Sequence, residues 1–119
     1  MQYLAEGVDE EFLALAVEVF GLLADETRVR IVLTLGNGGE MSVGHLAESV
    51  GKAPTAVSQH LAKLRLARMV TTRQDGTKVF YRLANEHASE LVASALHQAE
   101  HAVANGDVPR HHRLATEAR

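Results

Sequence analysis

Five of the seven histidines in this 119-residue chain lie beyond residue 86: His87, His97, His101, His111 and His112. Neutral imidazoles are common ligands of transition metals, and two of them four residues apart on a helix can share one ion. His97 and His101 have that spacing. A single such pair is also what a titrating polar helix face looks like, and His111-His112 alone could be a solvated tail. Five gathered in one region point to metal binding. The chain has no cysteine, which excludes thiolate ligands, disulfides and thiol redox chemistry. Imidazole and carboxylate donors remain, a set that suits nickel, cobalt or zinc.

A second group of residues points to nucleic acid. Residues 52–82 carry Lys52, Lys63, Arg65, Arg68, Arg73, Lys78 and Arg82 against Asp75 alone, a balance of +6. Residues 1–50 stand at −7 and residues 83–119 at −2, so the net charge of −3 conceals one cationic segment. Such a segment is the electrostatic footprint of phosphate contact. Interleaved with it are Thr55, Ser58, Gln59 and His60, short groups able to read base edges. Ser58, Gln59 and His60 are the first candidates for base contact, with Thr55 behind them. Lys52, Lys63, Arg65, Arg73 and Lys78 are the candidates for phosphate contact. His60 is equally readable as an interior hydrogen-bonder that fixes its helix. The implied partner is a double-stranded DNA operator. No nucleophile–base–orienter set and no phosphate-cradling loop is present, so an enzyme is not expected.

The elements that must position these residues follow from periodicity. Val43, Leu46, Ala47 and Val50 fall on one helical face, ended by Gly51. Pro54 opens a second helix whose apolar stripe is Val57, Leu61 and Leu64. Helix, short turn, helix with a polar outer face is the arrangement that enters a major groove. Two β-rich runs follow, Val70–Gln74 and Lys78–Leu83, around the hairpin dipeptide Asp75-Gly76. Alternation along the second run leaves one face of this wing free for cations. Earlier in the chain, Asp9 caps a helix to about Leu23 with a stripe of Phe12, Leu15, Ala16, Val19 and Leu23. Asp25 caps the next, Glu26 to Leu35, which the glycines 36, 38 and 39 should break, leaving Met41 as a β-stub. Asn85 caps the last helix, which runs to about Ala104. The predicted fold is mainly α with a β-hairpin wing: four helices, the hairpin and a fifth helix, a winged helix-turn-helix.

The last helix carries a broad apolar face, including Leu91, Val92, Ala95, Leu96 and Ala99. So small a domain cannot cover it, which predicts a homodimer interface. His87 and His101 lie 14 residues apart, about 21 Å at 1.5 Å per residue, too far for one ion in one chain. Antiparallel pairing of two such helices would bring His87 of one protomer near His101 of its partner. Residues 1–106 are thus expected to form the DNA-binding and dimerisation domain, and 107–119 a mobile histidine-containing tail. No run approaches the roughly 18 apolar residues of a membrane span, and the first residues lack a signal-peptide pattern, so the chain is expected in the cytoplasm.

LADETRVRIVLTL, LAESVGKAPTAVSQHLAKLRLARMV and RQDGTKVFYRL together resemble the ArsR/SmtB family of dimeric winged-helix metal sensors over roughly residues 15–104. NEHASELVASALHQAEH followed by PRHHR further resembles the nickel- and cobalt-responsive branch of that family. The resemblance implies a repressor whose operator affinity is modulated by Ni(II) or Co(II), with His87, Glu100, His101, His111 and His112 as ligands. His97 has no counterpart in that pattern and rests on its spacing alone. The family's zinc sensors use Asp-x-His and His-x-x-His or His-x-x-Glu; here the places read Asn85-x-His87 and Gln98-x-x-His101, two ligands short. The competing reading is a winged-helix regulator with a decayed metal site, controlled by a partner protein or another signal.

Overall fold

The computed structural model describes residues 7–104. The chain order is α1 (Glu10–Leu23), α2 (Glu26–Gly38), β1 (Met41–Ser42), α3 (Val43–Val50), α4 (Pro54–Leu66), β2 (Val70–Asp75), β3 (Lys78–Leu83) and α5 (His87–Ala104). It is the winged helix-turn-helix read from the sequence, with one strand added.

Local chemistry sets the helix ends. Asp9 accepts the Glu11 N–H, Asp25 the Arg28 N–H and Ser42 the His45 N–H, each satisfying a donor with no partner inside its helix. Gly51 closes α3 at φ 71°, a left-handed position that a Cβ would strain. Asn85 accepts the His87 N–H at the start of α5. The core is built from one side of each element: Ile31, Val32 and Leu35 of α2, Leu46 of α3, Val57, Leu61 and Leu64 of α4, and Val70 of β2 are all essentially inaccessible.

Three differences from the expected elements have physical causes. α2 does not stop at Leu35 but continues to Gly38. Its glycines mark close approach rather than a break: a Cβ on Gly36 would stand 3.2 Å from Ser89 Cβ of α5, and one on Gly38 3.3 Å from Met41 Sδ. Met41 and Ser42 form a true strand, paired antiparallel with Tyr81 and Phe80, so the wing is part of a three-stranded sheet of order β1-β3-β2. α1 touches the core only through its C-terminal part, Val19, Leu22 and Leu23. Phe12 and Leu15, expected on its buried stripe, are 68% and 46% exposed, because the described residues lay nothing over the first turns. No helix among the described residues is long and apolar enough to cross a membrane.

Candidate nucleic-acid interface and histidine helix

The roll of α4 is fixed by Val57, Leu61 and Leu64, each fully buried. Burying side chains of this size stabilises by roughly 1.5–3 kcal/mol apiece, so rotating the helix to another face would be costly. That roll leaves Thr55, Ser58, Gln59, Lys63 and Arg65 exposed, together with Lys52 in the turn before the helix. None of these side chains is held in a salt bridge among the described residues.

His60 sits on the border of that face, half-buried, and its Nδ1 accepts a 3.0 Å hydrogen bond from Arg28 Nε. The same guanidinium donates through Nη1 to the Leu22 carbonyl at 2.9 Å. Arg28 of α2 thus ties the recognition helix to the last turn of α1. Of the two roles that the sequence left open for His60, the geometry matches the interior one. Asp25 closes the network. Its carboxyl is held below its ordinary value chiefly by accepting the Arg28 backbone N–H, with the Arg28 side-chain charge adding attraction.

In the wing, register decides which residues share a face. Thr71 pairs with Arg82, Arg73 with Phe80 and Asp75 with Lys78, so Arg73, Lys78 and Arg82 share one side, as alternation along the strand predicts. The other side, Val70, Tyr81 and Leu83, turns to the core. Lys78 stands exposed beside the Gly76 turn. Arg73 is different. Its Nε and Nη2 donate to the two carboxylate oxygens of Glu40, both at 2.8 Å, and its guanidinium lies 4.9 Å from the Phe80 ring centroid. The hydrogen-bonded Arg73 holds the Glu40 carboxyl below its ordinary value, while Glu40 raises Arg73. The side chain expected on a phosphate is thus engaged with Glu40 in this structure, while remaining half exposed.

Glu40 and Arg28 are the functional neighbours that sequence reasoning missed. The Glu40–Arg73 pair spans 33 positions and becomes visible only once β1 is aligned on β3. The Arg28–His60 pair spans 32 positions and links two helices with no local signature.

On α5, His87, His97, Glu100 and His101 are all exposed, and the nearest acid to His87 is Glu90, 3.8 Å from Nδ1. No three histidine, aspartate or glutamate side chains converge among the described residues. This agrees with the length argument, by which one straight helix keeps His87 and His101 apart. His111 and His112, and the tail 107–119 as a whole, lie outside the described residues. The opposite side of α5 divides in two. Ala88 and Val92 are buried against the chain's own core. Leu91, Val92, Ala95 and Leu96 line an open apolar groove of about 300 Å³ with Phe20, Leu23 and Val29; Ala99 is exposed one turn further along.

Residues 25–72 match the family model described as bacterial regulatory protein, arsR family. The chain is 56% identical over 106 residues to the HTH-type transcriptional regulator KmtR of Mycobacterium tuberculosis, covering 89% of this chain and 79% of the relative. Its fold is similar to the crystal structure of the AntR antimony-specific transcriptional repressor, with a TM-score of 0.73 at 28% identity, over 82% of this chain and 87% of that one. It is also similar to a homodimeric winged helix-turn-helix DNA-binding domain of Mycobacterium bovis, with a TM-score of 0.70 at 28% identity, over 82% and 93% of the two chains.

Proposed function

Since this chain belongs to the arsR family of bacterial transcriptional regulators and is no enzyme, we propose that it is a homodimeric operator-binding repressor controlled by Ni(II) or Co(II). The observation that carries the DNA-binding part is the two-sidedness of α4. Its inner residues are locked in the core, while Thr55, Ser58, Gln59, Lys63 and Arg65 face outward. Ser58 and Gln59 then read base edges in a major groove, with Thr55 beside them, while Lys52, Lys63, Arg65 and Lys78 hold phosphates.

The dimer reading rests on the groove of Phe20, Leu91, Ala95 and Leu96, with Ala99 extending it, which a second α5 would close. The metal reading rests on the outer face of the same helix and on the similarity to KmtR. His87, His101 and Glu100, with His111 and His112 from the tail, would hold the ion; His97, one turn before His101, is the further candidate. These donors fit nickel or cobalt: imidazole and carboxylate, no thiolate, and enough groups for five or six ligands rather than a closed tetrahedral zinc site. Zinc remains within reach of the same donors. The bound ion supplies a cationic link between donors that two chains bring together. Operator affinity falls on binding, by about 5- to 150-fold for a typical coupling of about 1–3 kcal/mol.

Titrating the purified protein with nickel, cobalt and zinc, with and without operator DNA, tests this directly. Truncation after Gly106 should leave apo DNA binding intact while weakening metal binding and its effect; His87→Ala or His101→Ala should weaken both further. A chain that binds DNA but responds to none of the three metals would support the alternative, control by a partner protein.

A further inference from the structure

α4 ends in a way that its sequence should disfavour. The Met69 N–H bonds to the Leu64 carbonyl and the Arg68 N–H to the Arg65 carbonyl, both at 2.9 Å, the double bond of a Schellman cap. This cap needs a left-handed residue just past the helix, the place where glycine is commonest. Arg68 occupies it at φ 64°, the only non-glycine with positive φ among the described residues. An L-residue with a side chain is strained there. Strain of this kind persists where the surroundings hold it and the side chain has a use.

The side chain's surroundings suggest that use. Arg68 lines a concavity of about 500 Å³ between the recognition helix and the wing, together with Ser58, Ala62, Arg65, Leu66 and Tyr81. Two guanidiniums and two hydroxyls therefore border one open space, and no acid lines it. Three of the other four described arginines give a contrast; the fourth, Arg82 on the wing, makes no side-chain hydrogen bond or salt bridge among the described residues. Arg28, Arg30 and Arg73 are each tied by hydrogen bonds within the protein, to His60 and Leu22, to Glu26 and to Glu40. Arg65 and Arg68 make no side-chain hydrogen bond or salt bridge among the described residues. The Tyr81 hydroxyl likewise has no such partner.

We infer that this concavity is a clasp for one phosphodiester of the operator backbone, gripped by Arg65 and Arg68 and oriented by the Tyr81 hydroxyl, while Ser58 at its rim keeps its place on the base edges. It rests on the DNA-binding reading above and adds Arg68 and Tyr81 to it. A planar guanidinium fork suits a phosphate, and two of them across a groove fix the register of helix against wing on the duplex. The contact carries no base information, so it strengthens binding to every sequence alike.

Because glycine suits the cap better than arginine does, the two roles of Arg68 can be separated by the sign of their effects. Arg68→Gly should raise the urea midpoint and yet weaken binding to a random-sequence duplex and to an operator selected from a random pool by the same factor. The slope of log affinity against log salt should flatten by about 0.9, the value for one phosphate contact on B-DNA. Arg68→Lys should keep that slope. Tyr81→Phe should weaken binding with the slope unchanged, since a neutral hydroxyl releases no counterion. Lys63→Ala serves as the control for the recognition surface itself. If Lys63→Ala weakens binding and flattens the slope while Arg68→Gly does neither, the clasp is refuted and Arg68 is only a helix end. If neither variant changes binding, the docking of this whole face on DNA is refuted.

Discussion

Arg73 and Glu40 meet through two hydrogen bonds of 2.8 Å, at a site where both side chains remain partly open to water. Exposed pairs of this kind are worth little on average, but bidentate geometry and the Phe80 ring beneath the guanidinium make this one better ordered than most. The Glu40 carboxyl titrates below its ordinary value of 4.5 in the folded chain, so the pair stabilises the fold above that pH and loses its effect as pH falls through the lowered value. Glu40→Gln should therefore flatten the acid limb of a urea-midpoint profile and leave neutral operator binding equal or tighter, because Arg73 is then free to reach a phosphate. An unchanged acid limb would show the pair to be inert. His60 offers the complementary case. His60→Ala leaves a half-buried Arg28 donor without its acceptor and should cost about 1 kcal/mol of stability, the low end for such a loss. Gln59→Ala should leave stability unchanged and weaken operator binding; chemical denaturation and DNA titration of the two variants decide between these roles. Sequence reading could not choose for His60, since residue 60 falls at the border of the apolar stripe and its partner lies on another helix.

At the scale of elements, what was readable was what is local. Caps at Asp9, Asp25 and Asn85, the Gly51 stop, Pro54 at the first helical position and the Asp75-Gly76 turn each act within a few residues, and each stands where the sequence placed it. What escaped was contact between distant segments. Gly36 and Gly38 read as helix breakers because nothing local says that Ser89 and Met41 will crowd them. β1 read as a stub because a two-residue strand exists only through its partners Phe80 and Tyr81. The same reasoning yields a stability prediction. Gly51→Ala should cost about 1 kcal/mol, since only the backbone conformation suffers in the open space around it. Leu61→Ala should cost about 2–5 kcal/mol by leaving a cavity under the recognition helix. Equal effects in denaturant unfolding would contradict this division between backbone strain and core packing.

Taken whole, the molecule leaves a great deal of apolar surface uncovered for its size: Phe12, Val17 and Phe20 on α1, with Leu96 and Val103 on α5, are each at least 42% exposed. The proposed dimer would bury part of it. Leu96→Asp should place a charge in that seam and yield monomers that bind operator poorly, as sedimentation and DNA titration would show. A dimer that survives the substitution would move the seam elsewhere. The proposed interface was legible as an apolar face with no owner, and Val92, buried against the chain's own core, borders the same groove. The proposed metal ligands stand in the sequence only as a concentration of histidines, because the proposed set is divided between a helix and the residues beyond it.

The short β1 ladder has a mechanical consequence. β1 leads straight into α3 and is hydrogen-bonded to β3, while Glu40 clamps the same sheet through Arg73, so helix-turn-helix and wing move as one stiff lever. In a dimer whose half-sites lie about 34 Å apart, each recognition helix sits about 17 Å from the two-fold axis. A pivot of about 10° at the α5 seam then swings its tip by about 3 Å, close to the rise of one base pair. Metal acting at that seam would change the gauge of the dimer and leave its grip untouched. A lone half-site should accordingly be bound with the same affinity whether or not nickel is present, and only the paired site should feel the difference.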